Sequence, residues 1–210
     1  MTHRKHVFIF DFDGTIADTH ARLIEIYNQL APIFKYKIIK PEDIANLKNK
    51  TSREVIKILR IPLLKIPAIL SKGKEEFYSG LDDLKPFAGL NDVLLKLKGD
   101  GQTLGIFSSN SEGNIRKFLN IHQMDIFDFI HTTPKVWSKN LSLKKIIEKN
   151  NYSLQDVFYI GDEIRDIVMA KKLGVKTIAV TWGYNSAKAL KKYKPDFLIT
   201  TPQELIEISL

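Results

Sequence analysis

The chain has 210 residues, 44% of them hydrophobic and 27% charged, with 32 Lys and Arg against 24 Asp and Glu and no cysteine. That balance excludes a disordered chain and allows a substantial core, with one domain and room for a small insert. The missing cysteines exclude a disulfide framework, a thiolate metal site and a thiol nucleophile.

Val7-Phe8-Ile9-Phe10 is a continuous apolar run, and Asp11 and Asp13 end it before a signal-peptide core can form. No run of about 18 apolar residues follows, so no membrane-spanning helix is expected. The composition permits a cytoplasmic location, which is the expectation here.

Residues 19–85 carry helical spacing throughout. Leu23, Ile26, Tyr27 and Leu30 share one face. Thr51 and Glu54 form a capping box ahead of Val55, Ile58 and Leu59. Ile66, Ile69 and Leu70 open a further helix with Pro67 near its first turn. Pro32, Pro41, Pro62 and Pro86 punctuate the segment. It reads as a small helical cap, 19–85, inserted into a core made of 1–18 and 86–210. The chain rejoins that core near Phe87-Ala88-Gly89.

Three later apolar runs, at 103–107, 157–160 and 177–180, resemble the first, and Phe197-Leu198-Ile199 is a shorter candidate. They do not alternate, which suits parallel strands covered on both faces. Helical stripes separate them: Ile115, Phe118 and Leu119; Leu143, Ile146 and Ile147; and Ile164, Ile167, Val168 and Leu173, the last stopped by Gly174. Strands alternating with helices predict a doubly wound α/β core with a mostly parallel sheet.

Three strand ends carry polar groups. Asp11 and Asp13 follow the first run, Ser108 follows 103–107, and Asp162 and Asp166 follow 157–160. Ligands of open parallel sheets sit outside the carboxyl ends of the strands. Carboxylates crowded there call for a cation, and oxygen ligands in that number suit magnesium. His3, His6, His20, His122 and His131 show no zinc-type spacing. Each stretch alone also reads as structure: Asp-Gly-Thr as a turn, Gly161-Asp162 as a strand end with a cap, Asp166 as a complement to a helix dipole. Three together are harder to read that way. The net charge of +8 would steer an anion towards a cleft. The lysines are scattered in pairs with no basic arm or aromatic interleaving, so no nucleic-acid partner is expected.

Asp11-Phe12-Asp13-Gly14-Thr15, Ser108, Lys139 and Gly161-Asp162-Glu163-Ile164-Arg165-Asp166 resemble the four motifs of the haloacid dehalogenase-like hydrolase superfamily. Trp182-Gly183-Tyr184 and Lys194-Pro195-Asp196-Phe197 resemble the tail of its phosphoglycolate phosphatase-like branch. The resemblance spans nearly the whole chain. It implies a magnesium-dependent phosphatase for a small phosphorylated metabolite, phosphoglycolate being the family-level guess. Asp11 would be the nucleophile, forming an aspartyl-phosphate, and a metal ligand. Asp13 would serve as acid and then base, with its carbonyl on the metal. Asp162 would bind the metal directly and Asp166 would support it. Ser108 and Lys139 would hold the phosphoryl oxygens, and Asn110 would support the loop. Ser109 stands beside Ser108, and Lys135 competes with Lys139; Ser108 and Lys139 match the family positions. In the cap, Lys48, Lys50 and Arg53 are candidates for the substrate's distal anion. A second aspartate in the first motif disfavours carbon–halogen and phosphonate chemistry. A sugar phosphomutase shares these aspartates, and a non-catalytic phosphate-binding module is the reading from another class. The helical insert argues against a receiver domain. Oligomeric state is not readable from the sequence.

Overall fold

The computed structural model describes residues 5–133 and 139–209. The apolar runs become strands: β1 (Val7–Phe10), β2 (Thr103–Ser108), β3 (Phe129–Thr132), β4 (Val157–Gly161), β5 (Lys176–Val180) and β6 (Phe197–Ile199). They form one sheet in the order β3-β2-β1-β4-β5-β6, and every pairing is parallel. Phe10 lies opposite both Ile106 and Ile160, so β1, β2 and β4 end side by side. The strand order reverses at β1, where doubly wound sheets open a crevice.

The runs are continuous rather than alternating because both faces of the sheet are covered. Phe8, Phe10, Ile106 and Ile160 belong to one buried cluster, while Ile9, Phe107 and Tyr159 belong to the other. Successive side chains of a strand point to opposite faces, so neither parity can be polar. Each fully buried side chain of this size contributes roughly 1.5–3 kcal/mol. The helices α5 (Leu90–Gly99) and α6 (Glu112–Ile121) add Leu94, Leu97 and Phe118 to the first cluster; α7 (Lys139–Lys149) and α8 (Ile164–Leu173) add Leu143 and Met169 to the second. Gly174 closes α8 in the left-handed conformation, φ 73°, as its position predicts. The chain ends through α9 (Ala187–Lys192) and α10 (Glu204–Ser209).

The sequence pattern does not announce β3. All four of its residues are half-buried, and His131 and Thr132 interrupt its apolar character, as befits an edge strand. It is recognisable only by its partner: a Cβ on Gly105 would stand 2.1 Å from the Phe129 ring, so β2 keeps a glycine where that ring lies across it.

Between β1 and α5 the chain forms α1 (His20–Phe34), α2 (Pro41–Leu47), α3 (Ser52–Ile58) and α4 (Ile66–Ser79). Thr51 caps α3 with Glu54 in both directions, at 2.8 and 3.3 Å. Pro41 opens α2. Pro32 does not punctuate the chain as its type suggests. It lies inside α1, beside the buried Leu30 and Ala31, and the helix stops only at Lys35, whose φ is 60°. Burial of that face outweighs the missing hydrogen bond. Ile26, Leu30 and Phe77 join the same buried cluster as Phe10 and Phe118, so the inserted helices share the core of the sheet. Among the described residues no helix is long and apolar enough to cross a membrane.

Candidate active site

The site begins where β1 stops. The Asp11 amide donates to the Ile160 carbonyl at 2.8 Å, carrying the pairing with β4 one residue past the strand. The Phe12 carbonyl then accepts from the amides of Ile16 and Ala17, at 2.9 and 3.1 Å, which curls the loop back on itself. Gly14 makes the curl possible at φ 74°. This turn holds Asp11 buried and leaves Asp13 partly open to the cleft beneath the inserted helices.

Lys139, the first residue of α7, reaches across from the neighbouring layer. Its Nζ donates to Asp11 Oδ2 at 2.7 Å and to Asp166 Oδ1 at 3.1 Å, and the residue is 4% exposed. The Phe107 and Tyr159 rings lie 5.6 and 5.4 Å from the ammonium. Burial works against a charged lysine, but Asp11 and Asp166 outweigh it and hold the ammonium above its ordinary range. Burial likewise pushes the Asp11 carboxyl up, yet Lys139 and then Arg165 overcome this and keep it below the usual carboxylate range. Asp13 goes the other way. Burial and the negative charge of Asp11 push it up to about 7, against the hydrogen bond from Asn110.

Ser108 ends β2 fully buried, and its Oγ accepts from the Asn110 amide at 3.1 Å. The Asn110 Nδ2 spans both oxygens of Asp13 at 3.2 and 3.1 Å. Asn110 is itself oriented by Asn114, whose Nδ2 donates to Asn110 Oδ1 at 2.9 Å. Ser109 is half-buried and faces the cleft. Asn114 was not anticipated; an amide inside the amphipathic α6 gives no sign of its partner until the loop is folded.

At the end of β4, Asp162 is 1% exposed. Its Oδ1 accepts from Thr15 Oγ1 at 2.9 Å and its Oδ2 from the Tyr184 amide at 2.7 Å. Burial, then Glu163 and Asp166, push its carboxyl well above the ordinary value. Asp166 sits in the first turn of α8, its Oδ2 accepting from the Glu163 amide at 3.2 Å. Burial raises it, Lys139 opposes, and it comes to rest at about 6. Three strand ends thus bring Asp11, Asp13, Ser108, Asn110, Asp162 and Asp166 together with Lys139. Lys135 lies outside the described residues.

Among the described residues no three His, Cys, Asp or Glu side chains converge at metal-ligand spacing. The donor chemistry nevertheless fits a hard divalent cation. Among the described residues, Lys139 and Arg165 are the cations that act on this group of carboxyls, and burial together with the neighbouring carboxylates holds Asp13, Asp162 and Asp166 above their ordinary values. All the donors are oxygens, which is what magnesium takes.

The three loops are clamped by glycines. A Cβ on Gly183, in the loop after β5, would stand 2.3 Å from the Gly14 carbonyl and 2.4 Å from Asp162 Cβ. Gly183→Ala should therefore cost about 2–3 kcal/mol in thermal or chemical unfolding and weaken divalent-cation binding measured by calorimetry. Unchanged stability and affinity would show that the loops do not depend on this approach.

The loop after β5 also holds the insert. Asn185 Nδ2 donates to the Lys48 and Lys50 carbonyls at 2.9 and 3.1 Å, and the Ser186 amide donates to the Lys48 carbonyl at 2.9 Å. Lys48 Nζ turns back to the Gly183 carbonyl at 3.1 Å. Lys50 is half-buried on the same turn, and Arg53 is exposed on α3. Two cavities, of about 300 and 280 Å³, open between the insert and the strand ends. Ser52, Val55 and Ile56 line the first, where Lys48, Lys50 and Arg53 do not. Leu23 and Tyr27 of α1 line both, with Asp13, Glu163 and Arg165.

Comparison with known proteins agrees with this geometry. Residues 8–180 match the family model described as haloacid dehalogenase-like hydrolase. A protein named phosphoglycolate phosphatase from Synechococcus elongatus is 32% identical over 200 residues, covering 95% of this chain and 94% of its own. The pyrophosphatase PpaX of Bacillus cereus is 23% identical, covering 98% of this chain and 96% of its own. Among solved structures, a predicted phosphatase from Clostridium acetobutylicum superposes with a TM-score of 0.81 at 21% identity, over 97% of each chain. A putative phosphoglycolate phosphatase from Lactobacillus plantarum also reaches 0.81, at 18% identity, over 99% of this chain and 100% of its own. With its matched length, its parallel sheet and its strand-end aspartates, this chain belongs to the haloacid dehalogenase-like hydrolase superfamily.

Proposed function

We propose that this protein is a magnesium-dependent phosphatase that hydrolyses a small phosphorylated metabolite through a phosphoryl group carried on Asp11. In this reading residues 19–85 form a cap over a core of 1–18 and 86–210. The observation that carries it is the contrast between two carboxyls two residues apart: Asp11 is paired with the Lys139 ammonium at 2.7 Å, which lowers its value, while Asp13 lines the cavity with both oxygens held by Asn110 and is raised to about 7. Environments that push neighbouring carboxyls apart divide nucleophile from acid.

An Asp11 oxygen attacks phosphorus and the bond to the leaving oxygen breaks. Asp13 gives that oxygen its proton. Asp13, now ionised, takes a proton from water as the water attacks the phosphorus of the aspartyl-phosphate, which returns the Asp11 carboxylate and releases phosphate. Lys139 and Ser108 hold the phosphoryl oxygens, and Asn110 keeps Asp13 aimed. Asp11, Asp162 and the Asp13 carbonyl, with Asp166 behind them, would hold magnesium, which would supply charge compensation for the transferred group. Phosphoglycolate is the first substrate to try, on the strength of the Synechococcus relative.

Turnover of a generic aryl phosphate should vanish with a chelator and return with magnesium. Full activity in chelator would overturn the reading. Stability should follow with a definite sign. Asp13 and Asp166 have folded-state values raised to about 7 and about 6, so the metal-free fold prefers them protonated. The stability these two groups contribute is fullest below the unfolded value near 4 and falls as pH rises towards 7. Magnesium should therefore raise Tm more at pH 8 than at pH 5. At about 100 times Kd, the gain at pH 8 should be about 5–10 °C. His20 and His131, held below their ordinary values, oppose the slope in both forms and cancel from the difference.

A further inference from the structure

Arg165 breaks a local rule. It stands in the first turn of α8, where the helix dipole disfavours a cation. Such a departure calls for a compensating use. The residue lies where the two cavities meet, together with Asp13, the acid that faces the leaving group. Its Nη2 is 2.5 Å from Glu163 Oε1, and its Nε is buried with no hydrogen-bond partner. The other Glu163 oxygen accepts from Ser52 Oγ at 3.2 Å, across from α3 of the insert. Much of the first cavity wall beyond Arg165 is apolar or aromatic, with Leu23, Tyr27, Val55, Ile56 and Tyr184, while Thr19, His20 and Asp162 add polar groups to it. A guanidinium in such a wall pairs strongly with a planar or multi-oxygen anion.

We infer that Arg165 is the residue that reads a second anionic group on the leaving part of the substrate, with Glu163 occupying its guanidinium until that group arrives. The inference rests on the phosphatase reading and names the substrate class: a phosphate ester or anhydride whose leaving group is itself an anion. The substrate anion takes the place of the Glu163 carboxylate, and Glu163 retains its hydrogen bond to Ser52. No bond is made or broken in this exchange. Carboxylate and phosphate share the required chemistry, so the test carries one arm for each.

Binding is read without turnover, which keeps failure here separate from failure of the catalytic reading. The full chain with saturating magnesium is titrated calorimetrically with phosphonopropionate, with methylenediphosphonate and with ethylphosphonate, which lacks the second anion. Arg165→Met should weaken whichever doubly anionic ligand the wild type prefers by at least about tenfold relative to ethylphosphonate. Arg165→Lys should fall between, since it keeps the charge but loses the fork. Glu163→Gln should have the opposite sign and tighten the doubly anionic ligand relative to ethylphosphonate. An arginine acting only through its charge would be replaced in full by lysine, so the loss in Arg165→Lys separates recognition by the guanidinium from a general field. Equal changes for the ligands with and without the second anion, or no wild-type preference between them, would overturn the inference. A preference for phosphonopropionate assigns a carboxylate, and a preference for methylenediphosphonate assigns a second phosphate.

Discussion

Asp11→Asn should lower kcat by at least a factor of about 1,000, equivalent to about 4 kcal/mol of barrier. The amide keeps the shape and one oxygen but loses the charge that Lys139 stabilises at 2.7 Å, and with it most of the nucleophilicity. No phosphoprotein should form. Asp13→Asn removes the proposed proton donor and later base while leaving the Asp11–Lys139 pair intact. With a good leaving group, which needs little protonation, that variant should still phosphorylate Asp11 and then hydrolyse the adduct slowly. Rapid quench should show an acid-stable, hydroxylamine-sensitive label in the Asp13 variant and none in the Asp11 variant. Asn110 donates to both Asp13 oxygens, so the variant must first be shown to be folded and to bind magnesium. Label on any residue other than Asp11 would overturn the mechanism. Absence of label from both variants would point to direct attack by water.

Lys139→Met should be the most damaging substitution for stability. The side chain is 5% exposed and serves two buried carboxylates at once. Removing one partner from a buried ionic group costs about 3–5 kcal/mol, because the remaining charges stay out of water without compensation. In a chain of this length that is a fall in Tm of about 10 °C. The sign with pH follows from what Lys139 does to Asp11. Without it, burial and the neighbouring carboxylates raise the Asp11 value, so the folded variant favours the protonated form. The deficit should be largest at pH 8 and shrink as pH falls towards 5. Urea unfolding of both proteins at the two pH values measures it. A deficit below about 1 kcal/mol, or one that does not change with pH, would mean that the pair is not the electrostatic centre described here. In the proposed mechanism catalysis should fall as well, since the phosphoryl oxygens would lose their cation.

Much of this site was legible in the chain before folding. Four of the non-alternating runs contain the residues of β1, β2, β4 and β5, with ends shifted by a residue at most, and the fifth is β6. They were readable because burial on both faces leaves a strand no polar parity. Polar residues at the ends of three of those runs then had one place to go, the carboxyl edge of a parallel sheet. The spacing of Thr51 and Glu54 and the position of Gly174 were readable for a similar reason: caps and stops are made by neighbours in sequence.

What only the tertiary structure decided concerns partners far apart in the chain. Asp11 and Lys139 are separated by 128 positions, Ser52 and Glu163 by 111, and Asn185 and Lys48 by 137. Periodicity is a local property and carries no information about which strand lies beside which. The edge strand β3 has too little apolar character of its own and exists through Gly105 and Phe129. Pro32 is tolerated because of what α1 buries, which its own type does not reveal. Charge alone does not tell which basic residues meet the cavities: the folded chain turns Lys48 Nζ to the Gly183 carbonyl and brings Arg165 of α8 to the junction of the cavities. The sequence determined the sheet, its polar edge and the chemistry available there. Sheet order and packing decided which carboxyl is lowered and which is raised, because burial and neighbouring charge set a pKa and both depend on residues distant in the chain.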